Sequence, residues 1–190
     1  MIVNRDVPRA PLQLLVVMLL ISFTVVCSVS AQERAILLQI VSGDLLKVLY
    51  HDREEYVRLR GVETPDSHYT EDNVRLADTF HVERNSITIL GKKAVYFLST
   101  LMKRGDCLVM EFDDKHRDEF DNLVAYVSLR NGKMINELVL REGYGYLYIP
   151  SFSGRYAAKL REAQRSAQVN ERGLWRKHHC LFKFFLNIQN

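Results

Sequence analysis

The chain has 190 residues, 47% hydrophobic and 26% charged, with 26 basic against 23 acidic side chains. That is one domain, or a domain with an appendage, long enough to bury a core, and it excludes wholesale disorder, collagen and coiled coil. A net charge of +3 is too small to mark a nucleic-acid binder by electrostatics alone, so function has to come from local motifs.

Residues 1–31 read as a signal peptide. Arg5 and Arg9 precede an apolar stretch from Leu12 to Val26, broken only by Gln13, Ser22 and Thr24. Val29-Ser30-Ala31 then offers the small residues a peptidase needs for cleavage before Gln32. Extended to Ala31, the segment reaches about twenty residues, so an uncleaved anchor is the alternative. Lipidation of Cys27 is disfavoured by the bulky Val26 before it. The expected product is an exported protein, secreted or periplasmic, with no membrane span after cleavage. Arg5, Arg9 and Asp6 leave with the leader, lowering the net charge from +3 to +2. Cys107 and Cys180 remain and could pair in an oxidising compartment, but a core thiol in a strand and a loose tail thiol is the preferred reading. His178-His179-Cys180 has no fourth partner at a zinc spacing and reads as a polar joint before a tail over 178–190.

From Ala35 to Tyr50 two apolar runs flank the turn cluster Ser42-Gly43-Asp44, and Asp52-Arg53-Glu54-Glu55 reads as a second polar turn. Tyr56 to Gly61 alternates like a third strand, stopped by Thr64-Pro65-Asp66 because proline donates nothing to a ladder. Ser67 to Asn85 is polar and carries no periodicity. Ala94, Leu98, Leu101 and Met102, with Val95 beside them, mark one face of a helix ending near Gly105. Cys107 to Phe112 and Leu123 to Leu129 read as strands, Ile135 to Arg141 as a short helix ended by Gly143, and Tyr156, Leu160, Ala163 and Ala167 as the face of another. Gly173-Leu174-Trp175 closes the packed region. Three strands, a helix, two strands and two helices suit a small curled barrel with helices at its ends, of α+β class and mainly β.

Chemistry gathers around the first three strands. Asp44 lies in a turn, Arg58 in a strand, and Glu63 and Asp66 flank Thr64-Pro65. Oxygen donors from a turn and a strand end suit a hard cation such as calcium, and an arginine nearby can grip a phosphate bidentately. Taken one at a time, each residue is better read as an ordinary turn aspartate, surface arginine or loop charge.

The order of these motifs resembles the staphylococcal nuclease (thermonuclease) family from about Ile36 to Trp175. The landmarks are Ser42-Gly43-Asp44, Val57-Arg58-Leu59-x-Gly61-Val62-x-Thr64-Pro65, Gly91-x-x-Ala94, Glu111-Phe112-Asp113, Arg117-Asp118, Ala125-Tyr126-Val127, Asn136-Glu137-x-Val139, Gly143-Tyr144 and Gly173-Leu174-Trp175. The resemblance implies a five-stranded OB-fold (oligonucleotide/oligosaccharide-binding) barrel over 32–177 with about three packed helices. It also implies a monomer that hydrolyses DNA and RNA phosphodiesters with Ca2+, and it makes Ser67 to Leu90 an insertion.

Transferred position by position, the resemblance gives Asp44, Glu63 and the backbone carbonyl of Thr64 as calcium ligands, and Arg58, Asp66 and Asn122 as catalytic positions. Asp44, Arg58 and Thr64 are retained. Ser42 and Leu45 replace an aspartate and a threonine of the calcium turn, and Glu63 replaces an aspartate ligand. Asp66 replaces the glutamate that positions the attacking water. Asn122 stands in place of a second phosphate-binding arginine, after Phe120-Asp121 in place of tyrosine-glycine. Moving the water's partner by about an ångström costs on the order of 10²-fold. A missing arginine at a phosphoryl transition state costs roughly 10³ to 10⁵. The expectation is an exported calcium-dependent nuclease of reduced rate. The rival is a catalytically retired barrel that binds single-stranded DNA or RNA, or another anion, without cutting it. Tyr144, Tyr146 and Tyr148 could stack bases there, although packing is the commoner role of such tyrosines. A third reading makes the apolar tail Leu181 to Leu186 a docking strip of an envelope module. Arg117, five positions before Asn122, is either a substitute guanidinium or, as preferred, a surface charge.

Overall fold

The computed structural model describes residues 32–68, 70, 71, 73, 74, 84–113, 116–147 and 153–175. The leader, Tyr148 and everything from residue 176 onward, including Cys180 and the two histidines before it, lie outside the described residues. In chain order the elements are β1 (Glu33–Ile40), β2 (Leu45–Tyr50), β3 (Arg53–Leu59), β4 (Val62–Glu63), α1 (Arg84–Leu101), β5 (Cys107–Glu111), β6 (Leu123–Leu129), α2 (Ile135–Arg141), β7 (Tyr146–Leu147), α3 (Ala157–Val169) and a 3-10 turn at Gly173–Trp175.

β1, β2, β3, β6 and β5, in that order, close into a barrel, while β4 and β7 form a separate two-stranded pair. The period-two alternation of a strand fills the barrel. Ala35 and Leu37, Leu46 and Val48, Val57 and Leu59, Leu108 and Met110, and Leu123, Ala125 and Val127 are all buried. Four of the five seams are antiparallel; β3 and β6 run parallel, with Arg58 opposite Val124 and Leu59 opposite Ala125. This is the mainly β, five-stranded OB-type barrel that the resemblance implied, with three helices among the described elements.

One turn differs from its sequence reading. The reversal between β2 and β3 is His51-Asp52 alone, with φ of 49° and 60°, the left-handed pair that a two-residue hairpin requires. Arg53, Glu54 and Glu55 already belong to β3, opposite Tyr50, Leu49 and Val48. Glu54 is on the outer face, where it pairs with Lys47 at 2.6 Å, and Arg53 and Glu55 stand at the end of the strand, where Glu55 accepts from Arg117.

The helices are seated by specific devices. α1 buries Ala94 and Leu98, and Met102 just past its end continues the four-residue spacing. A Cβ on Gly43 would come within 2.6 Å of that of Ala94, and one on Gly91 would lie 2.2 Å from the carbonyl oxygen of Asp66. Glycine at both positions lets α1 touch the β1–β2 turn and the loop after β4. α2 is pegged by Asn136, fully buried: its Oδ1 accepts from the Val127 amide at 2.8 Å, and its Nδ2 donates to the carbonyls of Arg60 (3.0 Å) and Ala125 (3.3 Å). Leu160, Ala163 and Ala167 form the buried stripe of α3. Among the described residues no helix is long and apolar enough to cross a membrane.

Candidate active site

Arg58 alternates with the buried Val57 and Leu59, so its side chain leaves the barrel on the outer face of β3. There two carboxylates hold it. Its Nη1 donates to Asp44 Oδ2 at 2.9 Å and its Nε to Asp118 Oδ2 at 3.2 Å, while Glu63 Oε1 lies 3.8 Å from Nη1. Nη2 donates to no described residue.

Asp44 is fixed by its turn. The Val41 and Ser42 amides both donate to the Leu45 carbonyl, folding Ser42-Gly43-Asp44 back on itself. The hydroxyls of Ser42 (2.6 Å) and Thr64 (3.0 Å) donate to Asp44 Oδ1. Ser42, read from sequence only as a lost aspartate, is thus a partner of the aspartate that remains. Thr64 is buried, and Glu63 lies opposite Tyr146 in the β4–β7 pair. Asp66 is exposed. Its backbone is held on one side by Gly91 of α1 and on another by buried Asn73, whose Nδ2 reaches the carbonyls of Asp66 (3.3 Å) and His68 (2.8 Å) and the hydroxyl of Thr88 (3.2 Å).

Asp118 ties Asn122 into the same corner. Its Oδ1 accepts the amides of Phe120 (3.0 Å) and Asn122 (2.9 Å), and its Oδ2 accepts Asn122 Nδ2 at 3.0 Å beside Arg58 Nε. Asp121 keeps a left-handed φ of 65°, a backbone shape suited to the glycine it replaces and tolerated by aspartate. Arg117 takes no part: it grips Glu55 with Nη2 to Oε1 at 3.0 Å and Nη1 to Oε2 at 3.2 Å, the surface-charge reading. Tyr144 stacks on Phe97 at 4.5 Å and Tyr146 is buried, so these two tyrosines pack. Cys107 is a free, half-buried thiol at the start of β5.

The structure therefore brings Asp44, Arg58, Glu63 and Thr64 into contact, with Asn122 joined through Asp118. Asp118 is the member that sequence reading assigned no role. The signal was the Arg117-Asp118 landmark together with an aspartate two and four residues before amides it can cap. Nothing local revealed that it also meets an arginine sixty positions away.

Charge in this corner is out of balance. Burial pushes the Asp44 carboxyl above its usual range, against the lowering effects of Ser42, Arg58 and Thr64. Burial, then Asp44, then Asp66 push Glu63 up to about 7, with Arg58 opposing. Burial acts the same way on Asp118, but hydrogen bonds from Asn122, Phe120 and Arg58 outweigh it and hold that carboxyl low. Three carboxylates, those of Asp44, Asp118 and Glu63, thus lie within 4 Å of one guanidinium. The oxygen donors of Asp44, Glu63 and the Thr64 carbonyl fit a hard dication in kind, and two carboxylates lifted above their ordinary range are groups such an ion would relieve. In number they fall short of a cage. Among the described residues no three His, Cys, Asp or Glu side chains converge to hold a metal, so solvent and substrate oxygens would complete the shell.

Comparison with known proteins bears on the same stretch. The family described as Staphylococcal nuclease homologue matches residues 56–177. Endonuclease YncB of Bacillus subtilis is 27% identical over 141 residues, covering 72% of this chain and 59% of its own length. The Thermonuclease of Staphylococcus hyicus is 24% identical over 141 residues, covering 73% of each chain. An uncharacterized protein of Methanocaldococcus jannaschii is 26% identical over 150 residues, covering 72% of this chain and 69% of its own.

Proposed function

The chain belongs to the staphylococcal nuclease homologue family, and from that premise we propose that it is a calcium-dependent endonuclease that hydrolyses DNA or RNA at a reduced rate. The observation that carries this reading is the Arg58 guanidinium, seated between Asp44 and Asp118 with its Nη2 unspent, beside Glu63 and Thr64.

Arg58 receives the scissile phosphate on its open edge, and the two carboxylates behind it fix the plane of the guanidinium before substrate arrives. Asp66, exposed on the loop braced by Gly91 and Asn73, orients a water and takes its proton as the new P–O bond forms and the leaving oxygen departs. Calcium, held by Asp44, Glu63 and the Thr64 carbonyl, would supply positive charge at the phosphate oxygens. Asn122 limits the rate. Its amide is hydrogen-bonded to Asp118 and brings no charge to the transition state, a deficit of roughly 10³ to 10⁵ where an arginine is lost.

The export reading adds a leader over 1–31, a catalytic domain over 32–177 and a tail over 178–190, with a secreted or periplasmic monomer acting on single strands. The decisive experiment incubates the mature protein with single-stranded DNA and RNA, in calcium or in chelator, beside Arg58→Ala. Cleavage that requires both calcium and Arg58 is expected, with Arg58→Ala lowering the rate by about 10³ or more. Asn122→Arg should raise it. The bond from Asn122 to Asp118 favours one alternative, a retired barrel that binds without cutting. Binding that survives chelator, with no cleavage under any condition, would establish that alternative and end the nuclease reading.

A further inference from the structure

Between Arg84 and Gly105 the chain has five basic residues and no acidic one. The outer face of α1 and the turn behind it expose Lys92, Lys93, Lys103 and Arg104, and none of these four makes an ion pair with a described residue. Cations elsewhere are largely neutralised: Arg60 by Asp113, Arg117 by Glu55, Lys159 by Glu137 and Arg172 by Glu142. Among the α1 cations stands Tyr96, 73% exposed although it is a large aromatic. An aromatic left in water between unpaired cations serves no packing purpose, and it is the composition of a surface that follows a polyanion and stacks its bases.

Position joins this face to the site. Lys92 and Lys93 directly follow Gly91, whose backbone lies against the carbonyls of Pro65 and Asp66, and Ala94 abuts the turn that carries Asp44. The outward cations therefore stand about one helix diameter, roughly 10 Å, behind the two segments that flank Arg58. From Gly91 to the end of α1 is about 15 Å, some four steps of a stacked strand.

We propose that the outer face of α1, through Lys92, Lys93, Tyr96, Lys103 and Arg104, is a track for the phosphate backbone and bases of a nucleic-acid strand whose continuation reaches Arg58. The track gives affinity for long strands and is silent toward short ones. It deepens the nuclease reading and rests on it for the substrate class. An anionic membrane surface is the competing occupant. Continuity with the turns around Arg58 favours nucleic acid, because a bilayer laid on α1 would gain nothing from a phosphate site behind it.

The test is a binding titration in chelator, so that cleavage plays no part. A labelled single strand of about twenty nucleotides is titrated by anisotropy between about 50 and 200 mM salt. The quadruple variant Lys92→Ala, Lys93→Ala, Lys103→Ala, Arg104→Ala should bind at least about tenfold more weakly, with the slope of log affinity against log salt lowered by about 2.8. Arg130→Ala with Lys133→Ala, which removes two exposed cations elsewhere, should stay close to wild type. Binding of a dinucleotide should be the same in wild type and the quadruple variant. If the quadruple variant does not fold, Lys92→Ala and Lys103→Ala singly should each lower the slope by about 0.7. An unchanged slope, an equal loss in the Arg130/Lys133 control, or a wild type that prefers phosphatidylglycerol vesicles to the oligonucleotide overturns the proposal. Because Arg58→Ala is read in cleavage and α1 in chelated binding, either idea can fail while the other stands.

Discussion

Asn136 and Asp44 are both buried polar side chains at the edge of one barrel, yet their surroundings are opposite in kind. The hydrogen bonds of Asn136 all run to backbone groups of Val127, Arg60 and Ala125, so it is neutral, satisfied and indifferent to solvent conditions. Apart from its own amide, Asp44 is held by side chains, those of Ser42, Thr64 and Arg58, and its neighbour Glu63 is left leaning on a single shared guanidinium. A peg that holds the fold is saturated by the main chain. The corner around Arg58 keeps unbalanced charge and lets side chains partner one another, as the proposed ligand site would require.

Substitutions at the two places sharpen that contrast. Asn136→Ala strands the Val127 amide and the Arg60 carbonyl in the core, while the Ala125 carbonyl keeps the Arg60 amide, and should cost about 3 kcal/mol in chemical denaturation while the folded fraction keeps its cleavage rate. At the other place the effect should depend on pH. Glu63 in the folded state titrates near 7 against an ordinary 4.5, so the fold binds the extra proton between those values. Stability in chelator should therefore fall as pH rises through that window, by up to about 3 kcal/mol. Asp44, also raised, acts in the same sense; Asp118, lowered, loses its contribution only below its ordinary 3.8. Glu63→Gln should flatten the profile, and a wild type whose melting temperature stays level from pH 4.5 to 7 would refute the imbalance.

Gly91→Ala links the two regions. Helix propensity favours alanine by about 1 kcal/mol, but the new methyl meets backbone of Asp66, and overpacking of that sort costs about 1 to 3. A net loss of about 2 kcal/mol or less is expected in thermal melts. The rate should fall more, by as much as about 10²-fold, because the loop bearing Asp66 moves. The smallest effect belongs to Arg117→Ala. Removing its half-buried pair with Glu55 should change stability by about 1 kcal/mol or less and leave cleavage kinetics unaltered, in contrast to Arg58→Ala.

Most elements could be read from apolar runs and turn residues, since β2, β6, α2 and the α1 face of Ala94, Leu98 and Met102 each announce themselves locally. The His51-Asp52 reversal was masked because three charged residues open the strand just after it and resemble loop. β4 and β7, two residues each, are too short to show a period. The parallel β3–β6 seam joins positions 66 residues apart at Arg58 and Val124, and no local pattern encodes it. Around the site, spacing brought Asp44, Arg58, Glu63 and Asp66 into one frame. Asp118 escaped because its function depends on the same distant closure. The unpaired cations of α1 also went unremarked, since pairing is a property of tertiary neighbours and their count in the whole chain is unexceptional.

That parallel seam sets a timetable. Arg58 acquires Val124 as a strand neighbour and Asp118 as a brace only after the chain has been made past residue 124. At about 5 to 20 residues per second, synthesis lags by several seconds between the arginine and its second support. A half-finished polypeptide on the ribosome carries Arg58 but not its seating. The corner around it stays incomplete until more than sixty further residues have been added.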